Sequence, residues 1–317
     1  MSARDAGNVE AAQTTVQRIA VLGLGAMGLP MAARLTGLAP VSGFDPFESR
    51  RALAVAEGIS PAATPAEAAA GADTLVIAVR DQAQTESALF GAHGALESLQ
   101  PGALVLLTST IGPDAAIAIG SRLVEAGFRV VDAPVSGGPV RAGTGELLAM
   151  VGAGAAEFDA ARPILLRLTS TLTYAGARVG DGQLLKIINQ LLAGIHIAAA
   201  AEAVALARGV GLDPQTVIDS LSGGAAASFM LSDRGPRMVQ AYEPGAEVEV
   251  RSRVDIFVKD MGLVTDLARS SGVPVPVASS AEQLYLLAQR HGLGERDDSS
   301  VVTILSPEEH AGTLPEE

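Results

Sequence analysis

The sequence predicts an α/β fold: a doubly wound sheet with helices on both faces, then an all-helical region, the two joined by one long helix. Three observations carry this. Short apolar runs of β character alternate with helical stretches from residue 18 onward, which implies a parallel sheet. A glycine-rich turn sits where the first strand gives way to the first helix. Beyond about residue 178 only helical periodicity can be read, with no further strand of any length.

Taken in order, "RIAVLG" reads as the first strand and "MGLPMAARLTG" as a helix ending near Gly37. "PVSGFD", "DTLVIAV", "ALVLLTST" and "FRVVDAP" are further strands, separated by amphipathic stretches such as "GPDAAIAIGSRLVEAG" whose apolar residues recur at helical spacing. "ELLAMVG" and "TLTYAG" add two more strands. From Gly180 to Gly211 the pattern is one continuous helix, about 45 Å long at the usual rise per residue. Helical segments follow near 213–222, 228–241, 253–271 and 276–291. The expected organisation is a disordered leader at 1–17, a dinucleotide-binding unit at 18–178, a helical substrate and oligomerisation unit at 179–305, and an unfolded tail at 306–317.

Composition narrows the function. A chain of 317 residues suits two domains. The net charge of −13 is a poor match for nucleic acid or an anionic membrane surface. With no cysteine, neither disulfides nor a thiol nucleophile are available, and a reducing, cytoplasmic setting is expected. His93, His196, His291 and His310 have no spacing that would pair them as metal ligands, so no metal is expected. The most membrane-like segment, Leu191 to Ala207, is interrupted by His196 and Glu202 and reads as a soluble helix. The opening residues lack the basic and apolar stretches of a signal peptide.

The turn "GLGAMG" spans Gly23, Leu24, Gly25, Ala26, Met27 and Gly28 in a G-x-G-x-x-G arrangement. Its first glycine permits a tight turn, its second lets backbone approach a pyrophosphate, and its third lets the helix pack on the strand. Placed after a strand and before a helix, it predicts a Rossmann dinucleotide site. The next strand ends at Asp45, 22 residues after Gly23, where a carboxylate accepts ribose hydroxyls and repels a 2′-phosphate. That favours NAD over NADP, although Arg50 and Arg51 follow closely.

Two further features carry chemistry. Ser136, Gly137 and Gly138 follow a strand end, where ligands bind in doubly wound sheets. Adjacent glycines expose amides that hold a carboxylate, with the serine hydroxyl as an extra donor. From spacing alone this reads equally as an anion cradle or an ordinary loop. Lysine is the second signal. Lys186 and Lys259 are the two lysines among 22 basic residues, the rest being arginine. Arginine stays protonated whereas lysine loses its proton when buried, so lysine is retained where titration is needed. Lys186, Asn189 and Gln190 stand at i, i+3 and i+4 and share one helix face, placing an ammonium beside two amides. Such a set suits proton exchange with an alcohol or carbonyl. The bland alternative is that both lysines lie at the surface.

The motifs "GLGAMG", "TSTIGP", "DAPVSGG", "GDGQLLKIINQ" and "FVKD", in this order, resemble the β-hydroxyacid dehydrogenase family, over residues 18 to 305. The family includes 3-hydroxyisobutyrate dehydrogenase and tartronate semialdehyde reductase. The resemblance implies that Lys186 is the catalytic acid/base, that Ser136, Gly137 and Gly138 bind the substrate carboxylate, and that Asn189 supports the substrate. It implies that Thr110 lies by the nicotinamide and that Lys259 and Asp260 close the site. Many members carry Asn-Asn where this chain has Asn189 and Gln190, a departure that bears on substrate. "NQLLAGIHIAAAAEAVALA", "VDIFVKDMGLVTDLAR" and "GLGERDDSSVVTIL" look most like the L-threonate dehydrogenase branch. The expectation is an NAD-dependent dehydrogenase of a small hydroxy acid, acting as a homodimer or homotetramer. Tartronate semialdehyde or 3-hydroxyisobutyrate are the alternative substrates, and a non-catalytic NAD(P)-binding module or an imine reductase the alternative classes. Retention of Lys186 speaks against the last two.

Overall fold

The computed structural model describes residues 16–243 and 245–305. Most of the expected leader and all of the expected tail lie outside these residues. The first half is built from β1 (Ile19–Leu22), α1 (Gly28–Leu35), β2 (Val41–Phe44), α2 (Glu48–Ala56), β3 (Ser60–Pro61), α3 (Pro65–Ala69), β4 (Thr74–Ile77) and α4 (Gln82–Phe90). It continues through β5 (Leu104–Leu107), α5 (Pro113–Glu125), β6 (Arg129–Asp132), β7 (Val135–Ser136), α6 (Gly138–Thr144), β8 (Leu147–Gly152), α7 (Ala155–Leu168) and β9 (Thr169–Gly176).

The strands β1, β4 and β5 are buried along their whole length as the runs IAVL, TLVI and LVLL. Such runs are what a sheet covered on both faces requires, since no residue then faces water. Two apolar cores flank the sheet accordingly, one centred on α1 and α7 and the other on α3, α4 and α5. The sheet order is β3-β2-β1-β4-β5-β6-β8-β7, with β9 beside β8. Chain order reverses direction between β1 and β4, and the crevice beyond the carboxyl ends of these strands is where such sheets bind ligands.

The sheet departs from the all-parallel arrangement that the alternation implies. β8 runs antiparallel to β6 and to β7, while β9 returns parallel to β8. The physical cause is local: α6 is only seven residues long and ends at Gly145, whose left-handed backbone (φ 77°) sends the chain straight back along the edge. No full crossover separates β7 from β8.

The second half is helical: α8 (Asp181–Gly209), α9 (Pro214–Leu221), α10 (Phe229–Gln240), α11 (Val254–Ser270), α12 (Pro276–Ala288) and α13 (Val302–Leu305). α8 is the central strut. Its buried face is lined by small residues (Ala193, Gly194, Ala198, Ala201), which bring α11 and α12 close. Tyr285 on α12 donates from its hydroxyl to the Gly194 carbonyl at 2.8 Å, and Met261 of α11 fills the space a side chain at 194 would need. α8 is long and apolar enough to cross a membrane by length and composition, but more than half of its most apolar window is buried against the other helices, as a core helix is.

A second structural knot closes the far end. Arg234 and Arg237 of α10 reach Asp297 and Asp298, both buried in the turn before α13. Burial pushes Asp298 up to about 6, with Arg234 pulling it down. Removing one partner from such a buried pair leaves an uncompensated charge, so the cluster fixes how α13 seats on α8.

Candidate active site

The site is assembled where α8 leaves the sheet. Gly180 is the residue before α8, and no side chain of its own first turn caps the helix. Instead Asp132, at the end of β6, accepts the N–H groups of Gly180 (2.9 Å) and Gln183 (3.0 Å) on one oxygen. Its other oxygen accepts from Gln183 Nε2 at 2.8 Å. Gln183 also donates to the Ser109 carbonyl (3.0 Å) and accepts from the N–H groups of Ile111 (3.0 Å) and Gly112 (3.2 Å). Both side chains are fully buried. Burial pushes Asp132 up to about 6, the bonds from Gln183 and Gly180 pulling the other way. This junction sets the helix on the carboxyl ends of β5 and β6.

One turn further on stands Lys186, 5% exposed. Its ammonium donates to Gln190 Oε1 at 2.8 Å. The same oxygen accepts from Asn189 Nδ2 at 2.8 Å, and Asn189 Nδ2 also reaches Ser136 Oγ at 3.3 Å. Gln190 Nε2 donates in turn to Asp260 Oδ2 at 2.5 Å. Burial pulls Lys186 from 10.5 down to about 8; the Asp260 carboxylate opposes this and the Lys259 ammonium adds to it. A buried amine poised near neutrality is equipped to take and return a proton.

α11 closes over this face. Lys259 pairs with Asp260 at 3.0 Å and donates to the carbonyls of Thr110 (2.6 Å) and Arg80 (3.1 Å), which lie past the ends of β5 and β4. Arg80 in turn pairs with Asp255 on the first turn of α11 at 2.9 Å. Lys259 thus spans helix and sheet beside the crevice.

The glycine turn fits a dinucleotide. Gly23 has φ 94°, and a Cβ there would lie 2.4 Å from the Ala78 carbonyl oxygen. A Cβ at Gly28 would lie 1.9 Å from the Gly23 carbonyl oxygen. Gly25 is different: the nearest atom to its missing Cβ is the mobile end of Arg50, at 3.4 Å, which leaves the backbone open to a pyrophosphate. Leu24, by contrast, points into the core rather than toward a ligand.

Asp45 does not present the open carboxylate expected from the sequence. It is almost fully buried, its oxygens accepting from the N–H groups of Leu24 (2.9 Å) and Phe47 (3.0 Å), with Arg50 at 3.4 Å. The glycine turn folds back over it, so its charge braces the turn. Arg51 is committed to the carbonyls of Asp45 and Pro46.

Sequence reading therefore found the residues that converge here: Lys186, Asn189, Gln190, Ser136 and Asp260 form one connected set, with Lys259 and Thr110 adjoining. It missed Asp132, Gln183, Arg80 and Asp255. The available signal for Gln183 was a glutamine on the apolar face of a helix, three residues before the lysine.

Residues 18–176 match the family described as the NAD binding domain of 6-phosphogluconate dehydrogenase. Residues 180–305 match that described as NAD-binding of NADP-dependent 3-hydroxyisobutyrate dehydrogenase. The chain is 41% identical over 295 residues to the L-threonate dehydrogenase of Cupriavidus necator, covering 91% of this chain and 96% of the relative. It is 36% identical over 295 residues to the L-threonate dehydrogenase of Haemophilus influenzae, covering 91% and 95%. Among solved structures it resembles a 3-hydroxyisobutyrate dehydrogenase from Salmonella typhimurium with a TM-score of 0.84 and 38% identity, over 91% of this chain and 99% of that one.

Proposed function

The chain belongs to the 3-hydroxyisobutyrate dehydrogenase-like family of β-hydroxyacid dehydrogenases, and we propose that it oxidises a small sugar acid, L-threonate, at C2 with NAD. One observation carries the chemistry: a buried lysine with its pKa brought to about 8, linked through Gln190 and then Asn189 to the Ser136 turn.

Bound NAD supplies the acceptor for the two electrons of the alcohol C–H bond. The residues that would hold it are the turn Gly23–Gly28, braced from behind by Asp45, with Thr110 and Lys259. The substrate carboxylate rests on Ser136, Gly137 and Gly138. In a 2-hydroxy acid the carbinol adjoins the carboxylate, so anchoring one places the other toward Lys186. Neutral Lys186 accepts the alcohol proton as the carbonyl forms; as an ammonium it returns the proton in the reverse direction. Asn189 supports the substrate beside Ser136. Gln190 and Asp260 hold the lysine's position and charge. α11, through Lys259 and Arg80, closes the crevice against water.

The four-carbon acid is preferred over tartronate semialdehyde or 3-hydroxyisobutyrate because the relatives at 41% and 36% identity bear the name L-threonate dehydrogenase. A cytoplasmic location accords with the absence of cysteine. Assembly as a homodimer or homotetramer accords with the row Leu184, Ile188 and Leu192, which leaves an apolar stripe of α8 facing water in the single chain.

The test follows NADH absorbance for wild type and Lys186→Met with NAD or NADP against three-carbon and four-carbon hydroxy acids. L-threonate with NAD is expected to turn over in wild type only. Binding of NAD without turnover of any acid would overturn the reading.

A further inference from the structure

We infer that Arg141 recognises the carboxylate of the acid substrate and so determines which alcohols the site accepts. The inference rests on the proposed placement of that carboxylate at Ser136, Gly137 and Gly138.

Arg141 lies on α6, which begins at the second of those glycines. Side chains on a helix lean toward its start, and Arg141 does so: its Cδ is 3.1 Å from the position a Cβ on Gly137 would take. Its stem therefore runs along the turn itself. Its guanidinium lies 4.7 Å from the centre of the Phe229 ring, at the start of α10 in the helical half. Five arginine–ring contacts occur among the described residues, and this one alone joins the sheet half to the helical half. It reaches from the Gly137 turn to the Phe229 ring.

The cations of the site described above are already engaged. Lys259 is paired with Asp260 and Arg80 with Asp255. Lys186 is tied to Gln190. For Arg141, no carboxylate lies within ion-pair distance among the described residues, and an aromatic face stands in its place. Stacking occupies the flat face of a guanidinium and leaves the N–H donors around its edge free. An arginine so held, with no carboxylate partner and with its stem along the Gly137 turn, is prepared for a carboxylate, with which its planar fork bonds most strongly. It also supplies local positive charge to draw an anion to a protein whose net charge is −13.

The experiment compares wild type, Arg141→Gln and Arg141→Lys at saturating NAD. Arg141 is exposed, so neither substitution is expected to disturb folding. Arg141→Gln is expected to raise KM for L-threonate by about tenfold or more while kcat stays within about threefold, and Arg141→Lys to recover part of the loss. The KM for NAD is expected to be unchanged. L-threonamide, read as a competitor of L-threonate, should bind wild type and Arg141→Gln alike. An unchanged KM for L-threonate, or an equal loss for acid and amide, overturns the inference.

A second readout needs no turnover: the rise in melting temperature of the NADH complex on adding L-threonate. A rise in wild type that disappears in Arg141→Gln supports the role of Arg141 even where no acid is oxidised, in which case the functional reading alone falls. No rise in wild type and no turnover overturns both.

Discussion

Gln183 Nε2 lies 2.8 Å from Asp132 Oδ1, joining the first turn of α8 to the end of β6 across 51 residues of chain. The pair is densely bonded: Asp132 takes three N–H groups, and the Gln183 side chain gives two and takes two. Neither residue reaches the lysine, yet both fix where the lysine's helix starts.

Gln183→Glu is therefore expected to be severely destabilising. The substitution keeps the shape but turns a donor into an acceptor facing the Asp132 carboxylate and the Ser109 carbonyl. Losing two buried bonds and setting two carboxylates together costs about 3 kcal/mol or more. A fall in melting temperature of roughly 5 °C or more should be seen by calorimetry. A melting curve like that of wild type would show that the junction does not hold the helix.

Lys186→Met is expected to behave in the opposite way. Its folded pKa of about 8 lies below the usual 10.5, so the folded protein binds fewer protons than the unfolded chain between those values. Stability thus rises with pH across that window, and the cost of burying the ammonium is fully present below pH 8. Removing the charge leaves stability at pH 7 equal to or above that of wild type, while turnover falls by about three orders of magnitude or more. A loss of both together would make the lysine a structural residue.

How far the sequence announces all this depends on what kind of signal each residue carries. β1, β4 and β5 are legible because burial on both faces demands unbroken apolar runs, and α8 because its apolar spacing persists over 29 residues. Lys186 stands out because lysine is rare in this chain. Asp132 and Gln183 do not stand out: each is a single polar residue in an apolar element, and its meaning depends on a partner far away in sequence. β3 and β7, at two residues each, are shorter than any periodicity. The reversal of β8 hangs on the short α6 and on Gly145, which a chain with 35 glycines does not single out. For Asp45 the position was legible but the partners were not, because the N–H of Leu24 reaches it only once the turn has folded.

The pH dependence of oxidation should report the lysine directly. Alcohol oxidation needs the neutral amine, so kcat/KM is expected to rise with pH and level off above about 8. Carbonyl reduction needs the ammonium and should fall over the same range. A profile flat between pH 6 and pH 10, on the order of two units either side, would assign the proton transfer to another group.

The neighbouring charges then allow that assignment to be tested by sign. Asp260 pulls the Lys186 pKa up and Lys259 pulls it down, although the two are adjacent in sequence and paired at 3.0 Å. Asp260→Asn removes a negative charge but keeps an oxygen for Gln190 Nε2, so the hydrogen-bonded chain survives. The ammonium loses its stabilising partner and the midpoint of the oxidation profile should move below 8. Lys259→Gln removes a positive charge and should move the midpoint above 8, alongside a weaker hold of α11 on the Thr110 and Arg80 carbonyls. Damage to the site lowers the height of a profile; only a change in charge moves its midpoint in opposite directions for two adjacent residues. Steady-state kcat/KM across pH for the two variants decides it: midpoints that shift the same way, or do not shift, would mean that Lys186 is not the group being titrated.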